Sequence, residues 1–400
     1  MRKTAYWACL ALLFIIPWEN FIFVSGFGTI SRVSGFVVIG LWLASLATTN
    51  EIRKLQPFHL VFGFFLIWQV ISLVWSIDRE ASGVRIGTSI QLFILIVMVW
   101  DLLRDIVDLE RGMQAWVLGG VVTAVSVFQN YYLRTYVTEF RTSAAGFNLN
   151  DASLILAIGI PFAWYLAAKS EGKPAAIRWL NYLYIPAAVI AILLTGGRVS
   201  LAATIPGFLF ILGTFNSVSS RWRVLALVSV VAIVYLSQSL VPQTTVDRLT
   251  VGTVEEVEDL DLNGRKEIWL DALEVYLTAP VFGIGVGSGP TAIQSSIHNT
   301  LIAIILETGV VGLIVFAWLV YKLFQELRIQ PGSLMKSLWV NTVLIVLMAN
   351  MLHSWQYRKQ TWLVLTFVLI SAHLARRTTE LRQQTRVQTE PALPAVRYTE

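Results

Sequence analysis

Between residues 263 and 309 the chain concentrates groups that can bind an anion and move a proton. The stretch reads NGRKEIWLDALEVYLTAPVFGIGVGSGPTAIQSSIHNTLIAIILETG. Arg265 opens an amphipathic segment whose predicted N-cap is Asn263, so its guanidinium lies beside free backbone N–H groups and the positive end of a helix. A planar guanidinium in that position can grip phosphate oxygens in a bidentate manner. The alternative is a local ion pair between Arg265 and Glu267.

His298 lies where the next apolar helix is predicted to begin. A neutral imidazole accepts a proton from an attacking hydroxyl, which is the task of a general base. A histidine at a membrane border is otherwise a structural residue, but the neighbouring Asn299 favours a site, with the amide as a substrate contact. Nine residues of ideal helix rotate by about 180°, so Glu307 would face away from His298. Either the helix breaks near Asn299, or Glu307 supports the substrate site through other helices.

Two more arginines lie near predicted span ends without an obvious structural task. Arg198 follows the turn L-T-G-G at 194–197, where two glycines allow a tight reversal, and no acidic residue lies within ten positions on either side. It either snorkels to lipid headgroups or awaits an anionic ligand, and we favour the ligand. Arg141 belongs to a stretch rich in tyrosine and asparagine at 130–149, which suits a headgroup belt. The alternative is that the aromatic and amide side chains contact sugar, with Arg141 close to the phosphates of a substrate.

Two patterns in the same region imitate other sites. The sequence D-x-D-x-N-G at 259–264 matches the opening of a calcium loop, but Leu270 stands at the twelfth position, where a bidentate glutamate is needed. The alternating glycines at 283–289 are not preceded by a strand or followed by G-K-[ST], so they predict a chain reversal rather than a nucleotide loop. We therefore expect no metal and no cofactor.

The composition requires a membrane environment for the elements that carry these groups. Hydrophobic residues make up 56% of the 400 positions and charged residues only 14%, which is typical of a polytopic membrane protein. The predicted fold is all-α, because lipid admits only helices for such runs. About twelve transmembrane helices are predicted, at 6–24, 29–47, 57–75, 84–103, 112–129, 150–168, 179–195, 199–215, 222–240, 300–322, 334–353 and 359–375.

Basic residues in the loops set the predicted orientation. With the N-terminus in the cytoplasm, 19 of the 30 Lys and Arg residues lie inside and 11 outside. Residues 1–375 then form a single transmembrane domain with both ends cytoplasmic. Its largest outer loop, 240–299, lies between the ninth and tenth spans and carries short helices, and residues 376–400 form a disordered cytoplasmic tail. The net charge of +5 reflects this inside bias, so we expect no nucleic-acid partner.

Two charged groups near the outer face have plainer interpretations. The charges between Asp78 and Arg85 are interpreted as a solvated loop with local pairs. Glu19 and Asn20 interrupt the first span near its outer end, where they either face a cavity or form a polar helix end.

Several of these segments resemble the O-antigen ligase and Wzy polymerase family. The resemblance rests on L-T-G-G-R-V-S at 194–200, the glycine-arginine pair before Lys266, P-x-F-G-x-G-x-G at 280–287, and H-N-T-L followed by E-T-G-x-x-G at 298–312. These motifs occupy the C-terminal half in order. The N-terminal half resembles the family only in hydropathy and in fragments such as S-L-V-W-S-I-D at 72–78.

The resemblance implies a GT-C-like glycosyltransferase of the bacterial inner membrane, with its active site facing the periplasm. It implies an inverting, metal-independent reaction between a polyprenyl-diphosphate-linked glycan donor and a glycan or lipid A-core acceptor. His298 is then the base, Arg198 and Arg265 hold the diphosphate, and Arg141, Asn299 and Glu307 bind substrate. The alternative is a non-enzymatic lipid or polysaccharide transporter, since carriers also have many spans.

Overall fold

The computed structural model describes residues 1–137, 141–169, 174–217 and 265–389, with scattered positions between 220 and 235. Within these residues the chain is almost entirely helical, which confirms the all-α prediction. Two short antiparallel strands of two residues each, β1 (Phe23–Val24) and β2 (Gly28–Thr29), form a hairpin. The α-helices, numbered through the described residues, are α1 (Arg2–Ile15), α2 (Ile30–Thr49), α3 (Pro57–Ser72), α4 (Arg79–Leu102), α5 (Ile106–Tyr132), α6 (Leu149–Ala168), α7 (Ala175–Thr195), α8 (Arg198–Gly213), α9 (Arg265–Thr278), α10 (Gly289–Ile293), α11 (Thr300–Arg328), α12 (Gly332–Leu352) and α13 (Lys359–Thr389).

Seven of the described helices are long and apolar enough to cross a membrane, namely α2, α4, α5, α6, α7, α11 and α12. Helix α6 lies at the centre and packs against α5, α7, α8 and α12. Its most apolar window is 94% buried, whereas that of α2 is only 22% buried. Helix α6 is therefore the core helix of the bundle, and α2 is a peripheral helix with most of its surface exposed.

The expected number of about twelve spans is not confirmed. The predicted spans 6–24, 57–75 and 199–215 are occupied by helices of 14, 16 and 16 residues. Helix α1 gives way to a 3₁₀ helix that contains Pro17, because proline has no N–H for the α-helical ladder. The predicted span 222–240 lies largely outside the described residues.

The C-terminal helix is longer than expected. Helix α13 continues to Thr389, so the expected onset of disorder at Arg376 is wrong. There are two physical causes: the segment after Arg376 is rich in arginine and glutamine, which are good helix formers, and Arg376 itself pairs with Glu326 at 2.7 Å. Residues 390–400 of the expected tail lie outside the described residues.

Polar interactions fasten the bundle at both ends. At one end the buried carboxylate of Asp101 accepts hydrogen bonds from Arg2 at 2.8 Å and Trp42 at 2.9 Å. At the other end Asp151, at the start of α6, accepts from Trp355 and Arg358 in the connection between α12 and α13. The loops predicted to lie outside the membrane meet at this second end, and the described part of the 240–299 loop carries α9 and α10 there.

Candidate active site

His298 lies just before α11 rather than on it. Its backbone adopts a left-handed conformation with φ of +52°, and Asn299 begins the helix by accepting hydrogen bonds from the N–H groups of Leu301 and Ile302 at 2.9 and 3.1 Å. The Asn299 amide also donates to the carbonyl of Met351 at 3.1 Å. A positive φ is uncommon for a residue with a side chain and costs free energy. The N-cap therefore places the imidazole outside the helical register, and the Asn299 amide is engaged in holding it there.

The half-buried His298 ring faces a cavity of about 340 Å³, which we call the polar cavity. Its walls come from loops and helix ends that are distant in the sequence. The charged and titratable groups that line it are Arg85, Asp151, His298, Glu307, His353, Tyr357 and Arg358.

Arg265 lies close enough to His298 to act on it electrostatically. Burial is the main cause that lowers the pKa of His298, and the positive charge of Arg265 lowers it further. The two elements are also joined directly, because Trp269 on α9 donates to the carbonyl of Ile297 at 2.9 Å. Arg265 forms no ion pair with Glu267 or any other described carboxylate, so the sequence-level alternative of a local pair is not observed. At neutral pH the imidazole is in its neutral, proton-accepting form.

Glu307 lines the same cavity although it lies nine residues after His298. Its carboxylate accepts a hydrogen bond from the hydroxyl of Tyr357 at 3.0 Å and further bonds from the N–H groups of Gly287 and Gly289. The helical rotation expected to separate the two residues does not apply, because His298 is not helical. Glu307 thus forms part of a wall of the polar cavity.

The glycine turn, residues 283–289, is packed from both sides. Gly283, Gly285 and Gly287 all have positive φ. The N–H of Gly285 donates to the carbonyl of Glu307 at 2.9 Å, and the Ser82 hydroxyl donates to the carbonyl of Val286 at 2.6 Å. A Cβ at Gly283 would lie 2.5 Å from the Glu307 backbone. Only glycine allows this approach, so the turn is the chain reversal that the sequence predicts.

Arg141 and the start of α8 meet at the C-terminal end of α7. The Arg141 guanidinium donates to the carbonyl of Thr195 at 2.9 Å. Gly196, with φ of +61°, and Gly197 then reverse the chain so that α8 begins at Arg198. A Cβ at Gly197 would lie 3.0 Å from the side-chain oxygen of Asn150, the neighbour of a cavity residue. The backbone of Arg198 therefore lies beside the α6 wall of the polar cavity, while its side chain is outside the described part of the chain.

Several residues that line the polar cavity were not predicted as site residues from the sequence. The prediction that Arg85 belongs to a solvated loop is wrong. Its guanidinium lies 4.9 Å from the centre of the Tyr357 ring. Arg358 pairs with Asp151 at 2.5 Å, and His353 is buried beside His298. The sequence signal for His353 and Arg358 is the polar run H-S-W-Q-Y-R-K-Q at 353–360. This run separates two apolar helices and contains more polar side chains than a simple turn needs.

The arrangement combines positive charge with a proton acceptor. Three guanidiniums surround or approach the cavity, and of these Arg358 is offset by Asp151. Burial, and then the electrostatic interactions with His298, Arg265 and Arg358, lower the pKa of His353 to about 4, so it adds no charge at neutral pH. Burial, then the Glu307 carboxylate, raises the pKa of Tyr357, which stays protonated. Such a site can bind an anion and accept a proton from a hydroxyl beside it.

Comparison with known proteins identifies a family for part of the chain. Residues 183–317 match the family model described as O-antigen ligase. The matched segment includes Arg198, Arg265, His298 and Glu307 and confirms the resemblance seen in the motifs. The match supports a multi-pass membrane enzyme that handles glycans and is of the glycosyltransferase type. No curated protein matches the chain.

Proposed function

We propose, from the match of residues 183–317 to the O-antigen ligase family model, that the protein transfers a glycan from a polyprenyl diphosphate, undecaprenyl diphosphate in bacteria, to an acceptor hydroxyl. It works in the inner membrane, with both termini in the cytoplasm and the polar cavity open to the periplasm. The observation that carries the proposal is the half-buried His298 on the polar cavity, with the guanidinium of Arg265, which pairs with no carboxylate among the described residues, acting on it.

The donor diphosphate lies between the starts of two helices. Both α8 and α9 begin with an arginine, Arg198 and Arg265. An arginine at the first position of a helix can add its guanidinium to the free N–H groups and positive dipole of the helix N-terminus, which favours phosphate oxygens. Arg141, which donates to the carbonyl of Thr195 at the end of α7, is proposed as a further contact of the donor.

The reaction is a single displacement at the anomeric carbon. The acceptor O–H gives its proton to His298, and its oxygen forms the new glycosidic bond. The bond between the anomeric carbon and the diphosphate oxygen breaks, and polyprenyl diphosphate leaves with the electron pair. Attack opposite the leaving group inverts the anomeric configuration. Two guanidiniums can stabilise the charge that develops on the leaving diphosphate, so we expect transfer without a metal.

The acceptor is the end of another glycan repeat or a lipid A core. Only 33 positions separate Arg265 from His298, and α9 and α10 occupy most of them. This short segment leaves little room for a dedicated acceptor-binding domain. It favours a polymerase of exopolysaccharide or O-antigen repeats over a ligase.

The position of the ionisable groups argues against a carrier. Arg85, Asp151 and His298 lie before or within the first two turns of their helices, and His353 and Arg358 lie in the connection between α12 and α13. Substrate sites of secondary transporters lie near the membrane midplane instead. A cluster at one rim supports transfer chemistry there.

The test is glycan transfer by purified protein and lipid-linked oligosaccharide in the presence of a chelator. We expect the wild-type protein to be active and His298→Ala to lose about 10²- to 10⁴-fold in kcat, the usual contribution of a general base. His373→Ala is the matched control, because His373 contacts Trp100 at the opposite end of the bundle. Full activity of His298→Ala would remove the base assignment, and loss of wild-type activity on chelation would overturn the metal-free reaction.

A further inference from the structure

A second cavity, of about 300 Å³, adjoins the polar cavity. We call it the apolar cavity. It lies between α1, α2 and α4, and most of its wall is formed by aliphatic and aromatic side chains. These are Leu12, Ile16, Phe23, Phe36, Ile39, Leu92, Leu95 and Met98.

The two cavities share a wall. Tyr357 and Arg358 line both of them, and Lys359 lines the apolar one. Helix α2, which forms the outer side of the apolar cavity, is the span with the least burial, only 22% of its window. A hydrocarbon chain can therefore occupy the space between α2 and the bundle while its polar end reaches the Tyr357–Arg358 wall.

The rim of the apolar cavity carries one uncompensated cation. Lys359 is neutralised by the carboxylate of Glu19, which also accepts from Ser31. Arg358 is neutralised by Asp151. Arg32 lies exposed at the rim and forms no ion pair with a described carboxylate. A chain-like ligand with an anionic head group matches this combination of apolar wall and single guanidinium.

The location of the cavity selects between the two substrates. Displacement with inversion requires the acceptor oxygen and the leaving diphosphate on opposite sides of the sugar. Arg265, proposed for the diphosphate, acts on His298 and His353, whereas the apolar cavity meets the polar cavity at a different wall, Tyr357 and Arg358. An acceptor entering from the apolar cavity approaches the reacting carbon away from Arg265.

We propose that the apolar cavity binds the hydrocarbon chain of a lipid-linked acceptor, with its phosphate at Arg32 and its glycan extending past Tyr357 and Arg358 into the polar cavity. The assignment to the acceptor rests on the proposed transfer reaction. The binding of a lipid phosphate does not, because it can be measured without any transfer. An acceptor carried on a lipid fits a polymerase or a ligase and does not fit transfer to a protein.

Two glycines of α2 provide a matched pair of variants. Gly35 lines the apolar cavity, and a Cβ there would meet no atom within 4 Å; Gly40, on the same helix but outside the cavity, is equally open. Gly35→Trp therefore fills the cavity without forcing the backbone, and Gly40→Trp adds the same side chain to the lipid-facing surface. Equal thermal stability of the two variants confirms that any difference between them comes from the cavity.

The binding experiment uses a photoreactive polyprenyl monophosphate and the full-length protein in lipid nanodiscs. We expect the probe to label peptides from α1, α2 and α4. In Gly35→Trp the labelling should fall about tenfold, the effect of burying two fewer methylene groups, and in Gly40→Trp it should stay at the wild-type level. Wild-type protein should prefer the phosphate probe to the corresponding polyprenol, and Arg32→Gln should abolish that preference. Equal labelling of both glycine variants, or a preference that survives in Arg32→Gln, overturns the lipid site.

The kinetic experiment separates the acceptor from the donor. Gly35→Trp should raise the KM for a lipid-linked acceptor about tenfold and leave the KM for the donor and the turnover of a short water-soluble acceptor unchanged. A rise in the donor KM instead would overturn the acceptor assignment. If wild-type protein binds the probe but transfers no glycan, the proposed function fails while the lipid site stands.

Discussion

The imidazole rings of His298 and His353 meet edge to face with their centroids 5.5 Å apart, where α11 begins and α12 ends. Both rings are kept neutral by burial and by surrounding positive charge, to which Arg265 contributes in each case. Accepting a proton at His298 therefore adds a cation to a region already rich in them. An anionic donor bound at Arg265 would offset that charge, so the base is expected to gain basicity when the diphosphate is in place.

The first prediction concerns pH. Because burial and Arg265 lower the pKa of His298 below its usual 6.5, the acid limb of kcat/KM, which reports the free enzyme, should lie below pH 6.5. The acid limb of kcat, which reports the donor complex, should lie at higher pH, since the bound diphosphate raises the pKa of the base.

Arg265→Gln checks the cause of this shift. Removing the guanidinium removes a cation, so the acid limb of kcat/KM should move to higher pH even though the rate falls. The measurement is kcat/KM of wild type and Arg265→Gln from pH 4.5 to 8.5. An acid limb at the same pH in wild type and Arg265→Gln would show that Arg265 does not act on the base.

The second prediction concerns the geometry of the proposed diphosphate site. Replacing Arg198 or Arg265 with Lys keeps the charge but removes the planar fork, so each substitution should lower kcat/KM, and replacement with Gln should lower it further, by about 10²- to 10³-fold. The readout is transfer from a lipid-linked donor at varied concentration. Lys266→Gln is the control, because Lys266 is exposed next to Arg265 on α9. Wild-type kinetics in both lysine variants would exclude bidentate binding.

The third prediction concerns the wall shared by the two cavities. Tyr357→Phe removes the hydroxyl that donates to Glu307 but keeps the ring beside Arg85. Leaving the buried carboxylate one donor short should reduce the free energy of unfolding by about 1–3 kcal/mol. Chemical denaturation in detergent measures it. Tyr321→Phe, at a side chain that is 56% exposed, should change stability by less than about 0.5 kcal/mol, and equal effects in the two variants would refute the role of the hydroxyl.

The fourth prediction concerns the interruption of α11. Gly309 has φ of +68° and ψ of −172°, and a Cβ there would collide with the carbonyl oxygen of Val281. Gly309→Ala should therefore destabilise the protein by at least about 1–3 kcal/mol and lower transfer activity, because the glycine turn packs against this point. Gly40→Ala, in an open helical position of α2, should be neutral or stabilising by up to about 1 kcal/mol. A thermal unfolding midpoint unchanged in Gly309→Ala would contradict the strained geometry.

The sequence alone determined that the chain is all-helical and that its C-terminal half contains His298 and Arg265, the residues proposed for the chemistry. Apolar runs in a chain with few charges leave no alternative to helices in lipid. The glycines at 283–289 and the position of Arg265 at a helix start were also predictable, because backbone conformation at these points depends on local residue type. The polar run at 353–360 was visible but not interpretable, since nothing local says what it faces.

Only the tertiary structure decided which groups share a cavity. Arg358 meets Asp151 across 207 positions of sequence, and Tyr357 meets Glu307 across 50. The same packing places Arg85 in the wall of the polar cavity, although the sequence predicts a solvated loop there. Glu307 lines the same cavity as His298 because His298 has a left-handed backbone conformation and precedes the first turn of α11. Local preferences fix each helix, but the partners of a helix end depend on how the apolar faces of the whole bundle pack together, and that information is spread over the entire chain.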